Sequence, residues 1–317
     1  MSDDYTVQQA ANEYLEWFQL HRKSLDRTQY LINAHIIPTL GHIKVSELTT
    51  REIRKWQDSL VITPKRKRTR IGLEQEFFAL NSDEAALRKR KVTANRILNT
   101  LKAILNRVYD NGLVADNSAW KRVKPFRNVA KARTEYLEVD EIKALLKVAE
   151  PSLKLLICGA LYTGCRYGEL ARMQRCDLYP DIMKLYVQPS KNGLDRYVTL
   201  TEESTQFFKE MVQGKRSEDL IFIRHTGLPW GRSHQQRLLK KAIREADINK
   251  DISFHTLCHT HASQLAMQGV PMHVIAKQLG HSDTRMAEKH YAHLSTDYVT
   301  DTIRANFPDL GIKNSQK

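Results

Sequence analysis

Apolar residues in the first third of the chain recur every three to four positions, the spacing of helices that bury one face. Thr49 and Glu52 form a capping box at the start of one such stretch, and Asn111-Gly112 ends another. The helices predicted from this pattern span about 5–22, 26–37, 49–60 and 93–110. A basic insertion at about 63–92 separates the third helix from the fourth.

The pattern changes after residue 134, where short β-rich segments appear between further helices. Residues 182–188 and 196–200 flank Asn192-Gly193, which predicts a hairpin with a longer loop, and 220–223 are a candidate third strand. The further helices are predicted near 138–149, 152–161, 233–246, 256–268, 272–279, 284–293 and 298–306. The expected fold class is therefore mainly α with a small β-hairpin or sheet, that is α+β.

The composition is that of a globular protein, with 41% hydrophobic and 27% charged residues among 317. It excludes a wholly disordered, collagen-like or membrane-embedded chain, and the length favours two domains. The formal net charge is +14, and residues 1–133 hold most of it, with 25 basic against 14 acidic side chains. Such a surplus favours a polyanionic partner, nucleic acid before an acidic membrane surface.

The four cysteines form no C-x-x-C pair and fit no disulfide framework. The polar, acidic start does not resemble a secretory signal, and no apolar run reaches the roughly 18 residues that span a bilayer. We therefore expect a soluble protein of the reducing cytoplasm that makes no contact with a membrane. Walker A, G-x-G-x-x-G and H-E-x-x-H motifs are absent, so no cofactor is predicted.

Seven of the twelve histidines lie within 39 residues near the C-terminal end. One interpretation is a zinc site, since a helix would place His255, Cys258 and His259 on one face. No second Cys/His pair at zinc-finger spacing accompanies them, and we predict no metal. The other interpretation is a scatter of histidines over helix surfaces and the core.

Four ordered motifs and a tyrosine support a more specific interpretation. They are TGCRYGEL at 163–170, PSKNGLDRYVTL at 189–200, HTLCHTHAS at 255–263, LGHS at 279–282 and Tyr291. In these motifs the chain resembles the tyrosine recombinase (phage integrase) family, over the whole of 134–317. The resemblance implies an enzyme that cuts and rejoins DNA strands through a 3′-phosphotyrosine intermediate, without metal or ATP.

The same resemblance implies a domain plan. A helical core-binding (SAM-like) domain at 1–119 and a catalytic domain at 135–317 would form a C-shaped clamp on DNA, joined by a basic linker at 120–134. The tail at 292–317 would dock on its own chain or on a neighbouring protomer, as four protomers assemble on two DNA sites. The expected partners are double-stranded DNA with a specific recombination site, further copies of the chain, and DNA-bending or directionality proteins. The expected location is the nucleoid.

The resemblance also assigns roles to individual side chains. Tyr291 would be the nucleophile, and Arg166 and His281 would bind the phosphate. Lys191 would protonate the leaving 5′-oxygen, and His255 would help to deprotonate the tyrosine. The supporting residues are Glu169 and His259. The ordinary alternatives are a helix cap for Arg166 or His281, a solvated turn for Lys191 and a core aromatic for Tyr291.

Position 258 departs from the family pattern H-x-L-R-H, because Cys258 stands where a second phosphate-binding arginine is expected. Loss of one such donor costs on the order of 10²–10³ in rate. The cysteine is either an engineered change that stalls the enzyme or the mark of a natural slow or inactive member that still binds DNA. The third explanation is that another basic residue fills the gap, with His259 and His261 the nearest.

Most of the basic residues would neutralise DNA phosphates, and a solvated surface is the alternative for each. Those of the first domain and the linker are Lys65, Arg66, Lys67, Arg68, Arg70, Arg88, Lys89, Arg90, Lys91, Lys121, Arg122 and Lys124. Those of the second domain are Arg175, Arg224, Arg232, Arg237 and Lys240. The alternative functions are a catalytically silent sequence-specific DNA-binding protein and a zinc-dependent hydrolase.

Overall fold

The computed structural model describes three long stretches of the chain and a few residues beyond them. They are residues 5–129 apart from 23, 68, 71, 80 and 82, then 135–188, 195–294, 300 and 303–308. The chain divides into two compact units, Met1–Lys131 and Ala132–Lys317. Each unit has its own hydrophobic core.

The first unit is built from helices around one apolar core. Its helices are α1 (Val7–His21), α2 (Leu25–Leu31), which continues through a π-helical turn at Ile32–Ile36 into α3 (Ile37–Leu40), α4 (Thr50–Ile62), α5 (Glu84–Asp110) and α6 (Ser118–Lys121). The predicted capping box is present, since the Thr49 side chain accepts from the Glu52 backbone N–H and the Glu52 carboxylate from that of Thr49. The four long helical stretches that the periodicity predicts are confirmed as α1, the continuous stretch from α2 to α3, α4 and α5.

The longest helix of this unit begins nine residues before the predicted start at Thr93. The Asp83 carboxylate accepts a hydrogen bond of 2.6 Å from the Ala86 backbone N–H and caps the helix there. The apolar stripe from Ile97 to Val108 marks only the more buried part of the helix, so the sequence pattern assigns the first turns to the insertion. Trp120 and Val123, which the sequence assigns to a linker, are buried in the core of this unit.

The second unit combines helices with one small sheet, in agreement with the expected fold class. Its helices are α7 (Val139–Val148), α8 (Pro151–Thr163), α9 (Tyr167–Leu170), α10 (Glu202–Val212), α11 (His234–Glu245), α12 (Phe254–Met267), α13 (Met272–Leu279) and α14 (Arg285–Tyr291). The sequence pattern missed α10, whose capping box pairs Thr201 with a serine, Ser204, in place of Glu or Gln. The helix predicted at 298–306 lies partly outside the described residues.

The sheet has three antiparallel strands in the order β1 (Leu178–Tyr179), β2 (Lys184–Val187) and β3 (Arg196–Thr199). The hairpin strands β2 and β3 are confirmed and pair in register from Lys184 with Thr199 to Val187 with Arg196. The predicted third strand at 220–223 is wrong. Those residues make only isolated bridges, and Leu178–Tyr179 pairs with β2 because a short 3₁₀ turn folds it directly back.

Two clusters of buried side chains hold the second unit together. The larger one joins α7 and α8 to the sheet and to α11. The smaller one contains Ala262, Ala266, Ile275, Ala276, Leu279, Ala287 and Tyr291. It packs α12, α13 and α14 on one another, and these helices carry the histidine motifs and the tyrosine. No helix in the described part of the chain combines the length and apolar character that crossing a membrane requires.

Candidate catalytic site

Arg166 lies at the sharp junction between α8 and α9. Gly164 ends α8 in the left-handed conformation, at φ 67°, which turns the chain so that Arg166 precedes the first turn of α9. The Arg166 backbone N–H donates to Glu169 Oε2 at 2.9 Å, and its Nη1 donates to Glu169 Oε1 at 2.9 Å. Its side chain is 38% exposed and that of Glu169 only 2%, so the carboxylate holds the guanidinium from the buried side.

A second arginine shares the same carboxylate, and the family resemblance assigns no role to this residue. Arg196, the first residue of β3, donates to Glu169 Oε2 from Nη2 at 3.0 Å and to Oε1 from Nη1 at 3.3 Å. Burial alone would raise the pKa of Glu169, but the hydrogen bonds and charges of Arg196 and Arg166 lower it below its usual value. Glu169 is therefore ionised and bonded to two guanidinium groups.

Cys258 is a neutral thiol in the interior of the site. It is 4% exposed, and its Sγ donates to the Cys165 carbonyl oxygen at 3.0 Å. Burial raises the pKa of the Cys258 thiol to about 12, so the group carries no charge at neutral pH. Position 258 thus supplies neither the positive charge of an arginine nor the negative charge of a thiolate.

Tyr291 is buried at the end of α14 and bonded to α12. Its hydroxyl group lies 2.6 Å from His259 Nδ1, and its side chain is 3% exposed. The His259 ring in turn lies 4.6 Å from the His255 ring and 5.2 Å from the His290 ring, measured between centroids. Burial is the main cause that raises the pKa of Tyr291, and the nearby Cys258 raises it further. The phenol is therefore neutral in this position.

His281 follows the left-handed Gly280 that ends α13. Burial is the main cause that lowers its pKa, and the positive charges of Arg166, Arg196, His255 and His290 lower it further. His281 is therefore neutral at neutral pH and within electrostatic reach of both arginines. His281 Nδ1 is buried and has no hydrogen-bond partner among the residues that the structure describes.

The histidines proposed as substitutes for the missing arginine are already engaged. His259 bonds to Tyr291, and His261 Nδ1 lies 2.8 Å from the Leu161 carbonyl oxygen, to which it donates. Burial lowers the pKa of His261, which favours its neutral form. Each histidine is thus committed to another partner, and the buried guanidinium that bonds the same carboxylate as Arg166 belongs to Arg196.

Two of the predicted site residues, Lys191 and Arg68, lie outside the described residues. The strands β2 and β3 that flank Lys191 are both described. His255 lies on the exposed side of the first turn of α12 and lines an open cavity of about 510 Å³ together with Arg166.

The basic insertion and the start of α5 enclose a cavity of about 470 Å³ in the first unit. Its described lining includes Lys65, Arg66, Lys89 and Arg90, together with the aromatic ring of Phe78, and among these described residues no acidic side chain. Arg66 and Arg90 also donate to the backbone carbonyls of Ala34 and Leu60. The two lysines are exposed at the cavity.

The remaining candidates for DNA contact are distributed over both units. Lys67 and Lys91 lie against the rings of Phe78 and Phe126. The other basic candidates of the first unit are exposed or half-buried. They are Arg70, Arg88, Lys121, Arg122 and Lys124. In the second unit Arg237 and Lys240 line an open groove of about 700 Å³ along α11. Arg224 is tied to the Pro229 carbonyl, and Arg175 and Arg232 are exposed.

Among the described residues, no three His, Cys, Asp or Glu side chains are grouped as a metal ion would need. The helix that would have carried a zinc site places His259 against Tyr291 and points the Cys258 thiol at a backbone carbonyl.

Two family models match the chain. The model of the phage integrase family matches residues 135–297, and the model of the phage integrase N-terminal SAM-like domain matches residues 6–61. A tyrosine recombinase of Thermosipho africanus is 25% identical over 224 residues, which are 68% of this chain and 76% of that protein. Tyrosine recombinase XerA of Saccharolobus solfataricus is 26% identical over 302 residues, which are 93% and 96% of the two chains.

Solved structures resemble the fold at lower identity. The Tn1549 transposon integrase in complex with a circular intermediate DNA gives a TM-score of 0.72 at 15% identity and covers 95% of this chain and 99% of its own. A lambda integrase tetramer bound to a Holliday junction gives a TM-score of 0.69 at 17% identity, and the match covers 92% of this chain and 78% of the lambda integrase chain. At these identities the likeness concerns the fold.

Proposed function

Because the chain belongs to the phage integrase family of tyrosine recombinases, we propose that it cuts and rejoins DNA strands at a specific site through a 3′-phosphotyrosine on Tyr291. The observation that carries the proposal is the pairing of the half-exposed Arg166 with the buried Glu169, within electrostatic reach of His281. The reaction needs no ATP, since the phosphotyrosine bond conserves the energy of the cut strand, and no metal, since protein side chains bind the phosphate and transfer the protons.

Each step of cleavage has a group to perform it. The phenolic oxygen of Tyr291 forms a bond to phosphorus as the bond to the 5′-oxygen breaks. His255 accepts the phenolic proton, and Lys191 gives a proton to the leaving 5′-oxygen. Arg166 and His281 donate hydrogen bonds to the non-bridging oxygens, where charge grows in the transition state.

Tyr291 reaches the phosphate only after it leaves His259. In the structure the phenol is buried and neutral, and the 2.6 Å hydrogen bond to His259 holds it there. We place its release before chemistry, with DNA binding as the step that favours it.

The neutral thiol of Cys258 supports a second candidate function, a DNA-binding protein that occupies recombination sites without cutting them. Here the fold and the basic surfaces hold DNA, but the transition state lacks one charged donor. Loss of such a donor costs on the order of 10²–10³ in rate. The two candidates therefore share every DNA contact and differ only in the formation of a covalent bond.

Double-stranded DNA is the proposed partner in both cases. The surplus of 25 basic over 14 acidic residues in 1–133 and the basic cavity at the insertion support phosphate contacts by the first unit. The lambda integrase that resembles this fold was solved as a tetramer on a Holliday junction, which supports a tetramer of this chain on two paired sites. Accessory proteins that bend the DNA or set the direction of the reaction complete the proposal.

A nicked duplex tests the proposal. The full chain first selects its binding sequence from a randomised pool, and a single nick is then scanned across that duplex so that the fragment 3′ to the cut diffuses away. A covalent protein–DNA adduct that withstands EDTA and disappears in Tyr291→Phe is expected. Tyr197→Phe, which removes an exposed hydroxyl from the same unit, is the matched control and should retain the adduct. Tight binding without an adduct, even after Cys258→Arg, would support the silent DNA-binding protein instead.

A further inference from the structure

The Arg196 side chain is only 8% exposed and hydrogen-bonds to protein groups inside the candidate site. Its two terminal nitrogens bond both oxygens of Glu169, and its Nε donates to the Gln278 carbonyl oxygen at 2.9 Å. Nη2 also lies 3.8 Å from Cys165 Sγ, the residue whose carbonyl receives the Cys258 thiol. A buried guanidinium with this many partners has one orientation.

The charge balance of the site depends on this residue. Glu169 is ionised, and alone it would cancel the positive charge that Arg166 offers to a phosphate. Arg196 adds a second positive charge on the same carboxylate, so the three groups together carry a net charge of +1. Cys258 provides none, which makes Arg196 the source of the second positive charge at this point of the described structure.

The same guanidinium also fixes the segment that carries His281. A Cβ placed on Gly280 would lie 2.8 Å from Arg196 Nη1 and 2.9 Å from its Cδ, so the arginine packs directly on that backbone. The Gln278 side chain completes the attachment, since it accepts from the Thr199 N–H at 3.1 Å and donates to the Thr199 carbonyl at 3.0 Å. Arg196 therefore joins the start of α9 to the end of α13.

We propose that Arg196 is a positioning residue for strand cleavage, which maintains the positive charge of Arg166 against Glu169 and holds Arg166 and His281 in one arrangement around the phosphate. The claim that Arg196 promotes strand cleavage rests on the proposed function. The claim that Arg196 changes the electrostatics around Arg166 and His281 concerns the protein alone and holds without DNA. In this proposal Arg196 acts through Glu169 and not on the DNA, because each of its three guanidinium nitrogens already donates to a protein group and the side chain is only 8% exposed.

The titration of His281, followed by NMR in the full chain without DNA, tests the electrostatic part. Among the described residues, the titratable and charged groups that face this histidine are Arg166, Arg196, His255, His290 and Asp283. Arg196→Gln removes one positive charge and leaves Glu169 less neutralised, and both effects raise the pKa of His281. Arg196→Lys keeps the charge, so the pKa of His281 should stay near that of the unchanged chain. A general loss of packing would shift both variants alike.

The rate of adduct formation on the nicked duplex tests the cleavage part. Arg196→Gln should lower the single-turnover rate about a hundredfold, the low end of the loss when a donor to the transition state is removed, because both Arg166 and His281 would then be misplaced, with DNA affinity within about threefold. Arg196→Lys should lower the rate about tenfold, because an ammonium cannot bond both carboxylate oxygens and the Gln278 carbonyl at once. Arg216→Gln, which removes a surface arginine that is 77% exposed, is the matched control and should change neither quantity.

The outcomes separate the two proposals. If the chain and its Cys258→Arg variant form no adduct while the His281 titration shifts in Arg196→Gln alone, the proposed function fails and the electrostatic role of Arg196 stands. If adducts form equally fast with and without Arg196, or if the pKa of His281 moves equally in the Gln and Lys variants, the positioning role is wrong. Circular dichroism and thermal unfolding of both variants report whether each is folded.

Discussion

The Cys258 thiol occupies the place of a charged donor without replacing it. Its buried Sγ donates to the Cys165 carbonyl, and its raised pKa of about 12 keeps it neutral over the physiological range. Under the proposed function, a direct donor to the phosphate is therefore absent at this position. Arg196, bonded to Glu169, would supply charge to the site without a hydrogen bond to the phosphate.

Cys258→Arg should raise the rate of adduct formation at least a hundredfold. The new guanidinium adds a charged hydrogen bond to the transition state, worth on the order of 3–4 kcal/mol. Single-turnover cleavage of the nicked duplex measures it. Cys258→Ser is the matched control, because a hydroxyl can donate to the Cys165 carbonyl as the thiol does and brings no charge. A folded, DNA-binding Cys258→Arg variant with an unchanged rate would show that the cysteine does not limit cleavage.

The junction between α8 and α9 is the element on which the orientation of Arg166 depends. Gly164 has φ 67° there, and a Cβ added to it would lie 2.7 Å from His261 Cδ2 and 2.7 Å from Leu279 Cδ2. A side chain at position 164 would therefore collide with side chains of α12 and α13. The end of α8, α12 and α13 therefore meet two residues before Arg166.

Gly164→Ala should destabilise the protein by more than the about 1–2 kcal/mol that a left-handed L-residue costs, because two buried side chains must also move. Gly214→Ala is the matched control, since Gly214 has φ 74° and nothing within 4 Å of an added Cβ, so it pays the backbone cost alone. Chemical denaturation of the two variants gives the difference. Equal losses of unfolding free energy would mean that the contact at Gly164 adapts at no cost.

Local sequence patterns predicted most elements of this fold and missed what distant residues decide. The capping box at Thr49 and the β-rich segments around Asn192-Gly193 predicted α4 and the two hairpin strands, because each signal lies within a few residues. Arg196 was overlooked because its partners Glu169 and Gln278 lie 27 and 82 residues away. No periodicity reports such contacts, and the motif resemblance assigned roles to its neighbours only.

At the scale of the whole molecule, positive charge is concentrated more strongly than the net value of +14 suggests. The cavity at the insertion brings four basic side chains together without an acidic neighbour in its described lining. Arg66 and Arg90 donate to the carbonyls of Ala34 and Leu60. The ammonium of Lys65 lies over the Phe78 ring at 5.4 Å, and both Lys65 and Lys89 are exposed, so among the described residues of the lining these two lysines are the cations best placed to meet a phosphate.

The double variant Lys65→Gln/Lys89→Gln should therefore weaken DNA binding and make it less sensitive to salt. Each phosphate contact contributes about 0.9 to the slope of log affinity against log salt, so the slope should fall by nearly 2. Fluorescence anisotropy on the selected duplex between about 50 and 200 mM salt measures it. The matched control is Lys143→Gln/Lys241→Gln, which lowers the net charge equally at two lysines that are 73% and 65% exposed and paired with Asp140 and Glu245. A slope that falls equally in both double variants would assign the effect to net charge, whereas a fall confined to the first locates phosphate contacts at the cavity.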